Sequence, residues 1–443
     1  MPVAAVPEYL GSDFTDASPA LRFGMYLNLW GVNRRTREVL WTTHDIDSDV
    51  RGQERQERDI RVENKTSALR ESGRLTERDK SLMLALSRRL ESCARTVPPG
   101  ALLRLQAHAK APFTTGLGNE HPLENGFAFL NPYGLPYLPG SGVKGVLRRA
   151  AQELADGLWS DAHGWSHETI AAIDKPKVGL SVIDVLFGRE PAGGETEHVR
   201  GVLSFWDVIP QIVGDRLLVE VMTPHQSHYF QQKRDLKSGN SSTPHDSGQP
   251  NPISFLTVPP KSAFSFIVAC DVARLGRLVP DLLKDEQGQP RWKHLLIAAF
   301  EHAFQWLGFG AKTAVGYGAM AMDREALHRA LQAEQQAAEQ ARREAELSAL
   351  SENQRTIAQL QQKLQQRQQE LRGRKENWGQ ALTSAVQATV AQAKNESWTA
   401  QERHQLARML MQWLPQAIQI DWKDARKKLG IGDWLTTPEA PTS

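Results

Sequence analysis

The residues best suited to chemistry sit in two glycine-rich stretches with basic side chains. The first reads Leu-Pro-Gly-Ser-Gly-Val-Lys-Gly-Val-Leu-Arg-Arg over 138–149. Pro139 and Gly140 predict a tight turn, and a helix is expected to start near Ser141, whose hydroxyl suits an N-cap. The first N–H groups of a helix have no intrahelical acceptor and favour an anion. Gly142 keeps the backbone approachable, Lys144 and Arg148 share a helical face, and Arg149 adds charge beside them. That chemistry is phosphate binding without cleavage. A capped helix with solvated basic residues produces the same pattern.

The second stretch, 308–318, holds four glycines in eleven residues: Gly308, Gly310, Gly316 and Gly318. They let backbone approach a ligand closely. Lys312 and Thr313 supply a charge and a hydroxyl, and Tyr317 supplies a ring on which a base can stack. A nucleotide-binding P-loop needs a glycine directly before its lysine. Here Ala311 stands there and no strand feeds the loop, so ATP binding is rejected. A connection shaped only by packing is the competing explanation.

Two polar stretches complete the set. Residues 114–126, with Thr115 and Asn119, follow an alternating segment and form either a strand-edge loop for RNA or a plain turn. Residues 222–230 carry His225, His228 and Tyr229 and lead into a polar run reaching Pro252. Long loops without structure of their own are usually functional or disordered. Two histidines without a nearby cysteine make a poor metal site, and neither metal nor cofactor is expected. Asp207, in a strand-like run, is read as structural.

These segments need a scaffold. With 443 residues, 40% hydrophobic and 23% charged, the chain suits a soluble protein of two or three domains. The net charge of +2 means that any basic surface is local. Cys93 and Cys270 are too few for a disulfide framework and fit a reducing cytosol. No signal peptide or membrane-length apolar run is read from the chain.

Residues 21–30 read as an extended apolar segment, 50–75 as a charged loop or exposed helix, and 78–97 as a helix. From 101 to 111 apolar and polar residues alternate as in a half-buried strand. Further strands are expected at 201–209, 216–222 and 263–272, a helix at 292–307 ending on Gly308, and a closing strand at 319–322. Strands mixed with a few helices indicate the α+β class. Residues 324–372 read as one long helix. Leu350, Ile357, Leu364 and Leu371 recur every seven residues, near Leu347 and Leu360. That spacing fits either a weak coiled coil or a helix packing on its own chain. Residues 376–435 read as a small helical module with Trp378, Trp398, Trp413, Trp422 and Trp434 as core anchors.

Taken in order, GLG at 116–118, PYLPGSGVKGVLR at 136–148, VMTPH at 221–225, NPISFLTV at 251–258 and GFGAKTAVGYG at 308–318 resemble the RAMP superfamily, and within it the type III-B CRISPR (Cmr) effector subunits. The resemblance covers about residues 20–322. It implies a ferredoxin-like, RRM-like core with insertions over 101–323, completed by 1–100 and followed by a long helix (324–373) and an all-α module (374–443). It further implies a non-catalytic cytoplasmic subunit that binds crRNA and target RNA. Such a subunit caps the backbone near the crRNA 3′ end, beside other RAMP and small helical subunits. Lys144, Arg148 and Lys312 would contact phosphates, and 223–252 would form a thumb-like loop along the guide–target duplex. The competing reading is a RAMP endoribonuclease processing precursor RNA, with His121 or His225 as its catalytic histidine. Another type III backbone subunit, or a partner-docking role for the tail, are further alternatives.

Overall fold

The computed structural model describes residues 1–49, 58–98, 100–159, 161–174, 177–191, 197–223, 252–286, 288–371, 374–395 and 397–435. The chain divides into two compact units, Met1–Gln335 and Gln336–Ser443.

Of the extended run expected at 21–30, residues 21–24 instead belong to a helix, while the residues after it run antiparallel to 2–4, with Pro2 bridging Asn28. Ser18 caps α1 (Pro19–Gly24) by accepting the Leu21 N–H, and Pro19 occupies the first turn, where its missing N–H costs nothing. An antiparallel ribbon, His44–Asp49 with Arg58–Glu63, leads to α2 (Lys65–Ser72) and α3 (Glu77–Ala94). A reciprocal Thr76–Asp79 capping box fixes the start of α3, as its charged, periodic sequence predicts.

Next comes β1 (Leu102–Ala109), the alternating segment. It is followed by α4 (Gly140–Ala155), β2 (Leu203–Phe205) and a separate hairpin of β3 (Leu218–Met222) with β4 (Ile253–Thr257). Then follow β5 (Ala263–Cys270), α5 (Arg291–His302) and β6 (Met320–Met322). The central sheet has the order β2-β5-β1-β6, antiparallel at every step.

Alternation along β1 divides the sheet into two faces. Leu103, Leu105 and Ala107 pair with Val268, Phe266 and Phe264 and join Leu147 of α4 and Phe300 of α5 in the main core. On the other face Leu102 and Ile267 cluster with Ala94 of α3, whereas Gln106 and His108 are exposed. Phe266 sits among Phe300, Phe304 and Phe309, with ring centroids 5.2–5.5 Å away.

Instead of one helix over 324–372 there are two, α6 (Arg324–Ala349) and α7 (Glu352–Glu370). The break lies at Leu350 and Ser351 because Ser351 forms a capping box with Gln354, starting a new helix. In the second unit α7 packs with α8 (Ala381–Ala393), α9 (Ala400–Ala417) and α10 (Trp422–Leu429). Ile357, Leu360 and Leu364 are buried there, so this part of the heptad stripe faces its own unit. Of the five expected tryptophan anchors only Trp398 is fully buried; the others pack at the edge of a leucine- and valine-rich core.

Candidate nucleic-acid interface

The second glycine-rich stretch is a loop nailed down by one ring. After α5 the chain makes a π-turn (Ala303–Leu307), and Phe309 inserts into the aromatic core. The Phe309 N–H donates to the Gly318 carbonyl at 3.0 Å, closing the loop on itself. Gly318 N–H donates to Pro112 O and Ala311 N–H to Thr114 O, both at 2.8 Å, tying it to the segment after β1. A side chain on Gly310 would strike Thr114 O, and one on Gly318 would strike Phe309 O. Those two glycines answer to packing. Gly308 is also close-packed, against Tyr317 O, whereas Gly316 has φ +94° and open space around it. Thr313 is half-buried behind the turn.

Lys312 adopts a left-handed φ of +57° that turns its side chain onto the β3–β4 hairpin. Its ammonium lies 3.5 Å from Met222 Sδ and 5.3 Å above the Phe255 ring. The Tyr317 ring packs 5.6 Å from Phe255, and its hydroxyl reaches Glu220 Oε2 at 3.5 Å. Burial, and then the neighbouring Glu220 charge, push the Tyr317 hydroxyl pKa up. The loop therefore places a cation and a phenol at the base of the polar stretch that follows Met222. His225 and Tyr229 belong to that stretch and lie outside the described residues.

The first stretch is arranged differently from expectation. Helix α4 begins at Gly140 with Pro139 at the cap position, so Ser141 falls inside the first turn and caps nothing. The cap comes from Asp207, whose Oδ1 accepts the Gly140 N–H at 2.7 Å. Asp207 lies just past β2 rather than within a strand, because pairing with β5 stops at Phe205. A carboxylate thus already takes the first helical N–H. Arg148 pairs with Glu190 at 3.4 Å and Arg149 with Glu153 at 2.9 Å. Lys144, half-buried, makes no ion pair among the described residues. Gly142 is half-buried against Leu138.

The third stretch is mostly wall. Thr115 is buried and its carbonyl accepts the Ala128 N–H, while Asn119 is exposed. His121 stacks on Phe23 with ring centroids 3.9 Å apart. The Leu123 N–H donates to its Nδ1 at 3.2 Å, which leaves Nε2 protonated and donating to Phe23 O at 2.9 Å. Burial lowers its pKa, so the ring is neutral with both nitrogens engaged. No group of three or more metal-ligating side chains occurs among the described residues. Sequence reasoning missed Phe255, Glu220 and Met222, because only the fold of the hairpin brings them to Lys312 and Tyr317.

Residues 106–321 match the RAMP superfamily, a span that holds the sheet except for the start of β1 and the last residue of β6, together with both glycine-rich stretches. Over that span, just under half of its length, the chain is similar to the RAMP superfamily. It is related to the CRISPR system Cmr subunit Cmr6 of Pyrococcus furiosus, with 27% identity over 234 residues, 46% of this chain and 63% of the relative. The match thus spans less than two thirds of that relative's length. Among solved structures, the Cmr6 crystal structure from Pyrococcus furiosus aligns with 24% identity over 50% of this chain and 96% of the other, at a TM-score of 0.24. A chain of the type III-B Cmr-beta complex bound to cognate target RNA aligns with 18% identity over 58% and 69%, at a TM-score of 0.33.

Proposed function

We propose that this chain is a non-catalytic crRNA-binding subunit of a type III CRISPR effector complex, working in the cytoplasm. It caps the backbone near the crRNA 3′ end and helps position target RNA beside other RAMP and small helical subunits. The relationship to Cmr6 supports the assignment to such a complex. The strand and helix order β1-α4-β2-β5-α5-β6, with sheet order β2-β5-β1-β6, supports reading the core as ferredoxin-like.

One observation carries the RNA-binding reading. A glycine-rich loop anchored by Phe309 holds Lys312 and Tyr317 at the root of the polar 223–252 stretch. Backbone close to the surface, one cation and one ring are the parts that bind an RNA strand through phosphate and base stacking. Lys144, which makes no ion pair among the described residues, supplies a second cation on α4. The engagement of both His121 nitrogens supports a binding role over cleavage.

The test is purification of the chain with its genomic neighbours. A stoichiometric complex holding a small RNA of uniform length supports the proposal. A lone protein that cuts repeat RNA at one site would replace it with a processing nuclease.

A further inference from the structure

The helical unit after residue 335 contains a cleft that the RAMP match does not reach. It encloses about 430 Å³ and is lined by Trp422, Lys423, Arg426, Lys427, Gly430 and Gly432. Three of its six lining residues are cations and none is acidic.

The helical repeat creates this segregation. At 100° per residue, Trp422, Lys423, Arg426 and Lys427 fall on one side of α10, while Asp421, Asp424 and Lys428 fall on the other. Lys428 lies 5.2 Å from the centre of the Trp378 ring. Ala425 and Leu429 are buried, anchoring the helix to its unit. The helix stops at Gly430 in a left-handed turn, and Arg426 Nη2 donates to Gly432 O at 2.7 Å. That bond fixes the guanidinium and folds the following chain back as the far wall. Lys423 and Lys427 are exposed and make no ion pair among the described residues.

We infer that this cleft is a second RNA-binding site, taking the phosphate backbone of a single strand against Lys423, Lys427 and Arg426, with the Trp422 indole as a platform for a base or ribose. Cations at a helix C-terminus also offset the helix dipole, which accounts for one or two charges near Gly430. It does not account for a concave wall shared with an indole, nor for Lys423 in the first turn. A basic concavity with an aromatic side chain is the combination by which proteins hold single strands without reading sequence. The two lysines stand one turn apart, a rise of about 6 Å, so they meet successive phosphates. The inference does not rest on the RNA contacts proposed for the core.

The experiment uses the full chain and a labelled single-stranded RNA of mixed sequence, with affinity measured across a salt series. Replacing Lys423→Gln and Lys427→Gln together is expected to weaken binding and to reduce the salt slope by about 1.4, two contacts at about 0.7 each. Lys423→Arg with Lys427→Arg should keep both. Trp422→Leu should weaken binding while leaving the slope in place. An unchanged affinity and slope in the glutamine variant overturns the inference, as does loss of assembly with partner subunits at unaltered RNA binding, which would mark an acidic protein ligand. Lys144→Ala with Lys312→Ala separates the two sites. A slope lowered only by that pair leaves the core proposal standing and the cleft refuted, and the reverse result does the opposite.

Discussion

The backbone N–H of Gly140 donates to Oδ1 of Asp207 at 2.7 Å, so a side chain 67 residues downstream closes the N-terminus of α4. Pro139 has no side-chain donor or acceptor, and Ser141 lies too far into the helix to help. A helix start left without an acceptor loses about 1 kcal/mol. Asp207→Ala should therefore lower the thermal midpoint by about 2 °C, and Asp207→Asn, which keeps an acceptor oxygen, should recover most of it. Equal loss in both variants would show that the carboxylate does not act as a cap.

Lys144 and Lys312 are the phosphate contacts proposed for the core. Replacing both by alanine should weaken RNA binding and flatten its salt dependence by about 1.4 in slope. Arg148 and Arg149 already face Glu190 and Glu153. Their alanine variants should change affinity much less. A slope identical to wild type in the double lysine variant would remove both contacts.

The glycines of the 308–318 loop should separate into two groups. At Gly310 and Gly318 an added methyl group meets backbone oxygens that cannot move aside. Gly310→Ala and Gly318→Ala should lower stability by several kcal/mol, about the upper end for single substitutions, and should reduce soluble yield. Gly316 has the same sign of φ but nothing within 4 Å of the added atom. Gly316→Ala should cost about 1 kcal/mol, the strain of the left-handed backbone alone. Chemical denaturation of the three variants would check the ordering.

Glu402 joins two helix starts in the second unit. It accepts from Thr399 N–H, Asn353 Nδ2 and Ser351 Oγ, each at 2.9 Å. Those donors, Thr399 first, hold its carboxyl at about 2, down from an ordinary 4.5. A carboxylate depressed on folding contributes stability that is complete above its unfolded pKa and is lost as pH falls toward the folded one. The second unit should therefore lose stability between pH 4.5 and about 2. Glu402→Gln should be less stable at neutral pH and show a flatter response over that window. Helical signal followed during acid titration would detect the difference.

The fold could be read in the chain wherever local chemistry was self-sufficient. Alternation in 101–111 specified β1 because one face had to be buried, and the helical periodicity of 78–97 specified α3. The run at 21–30 misled over its first four residues, because Ser18 and Pro19 had already started a helix that reaches Gly24. The 324–372 segment looked continuous because no glycine or proline interrupts it, yet a single serine with Gln354 was enough to restart the helix.

The residue types of the site were set by the sequence alone: which glycines, which lysines, which tyrosine, and their order along a RAMP-like chain. Tertiary structure alone decided their partners. Phe255, Glu220 and Met222 reach Lys312 and Tyr317 only through the β3–β4 hairpin. Asp207 reaches Gly140 only because β2 ends in the central sheet beside α4. Local patterns specify dihedrals and caps, since those forces act within a few residues. Which charge is neutralised and which is left for a ligand depends on groups tens of residues away, and only the folded chain brings them within hydrogen-bonding distance.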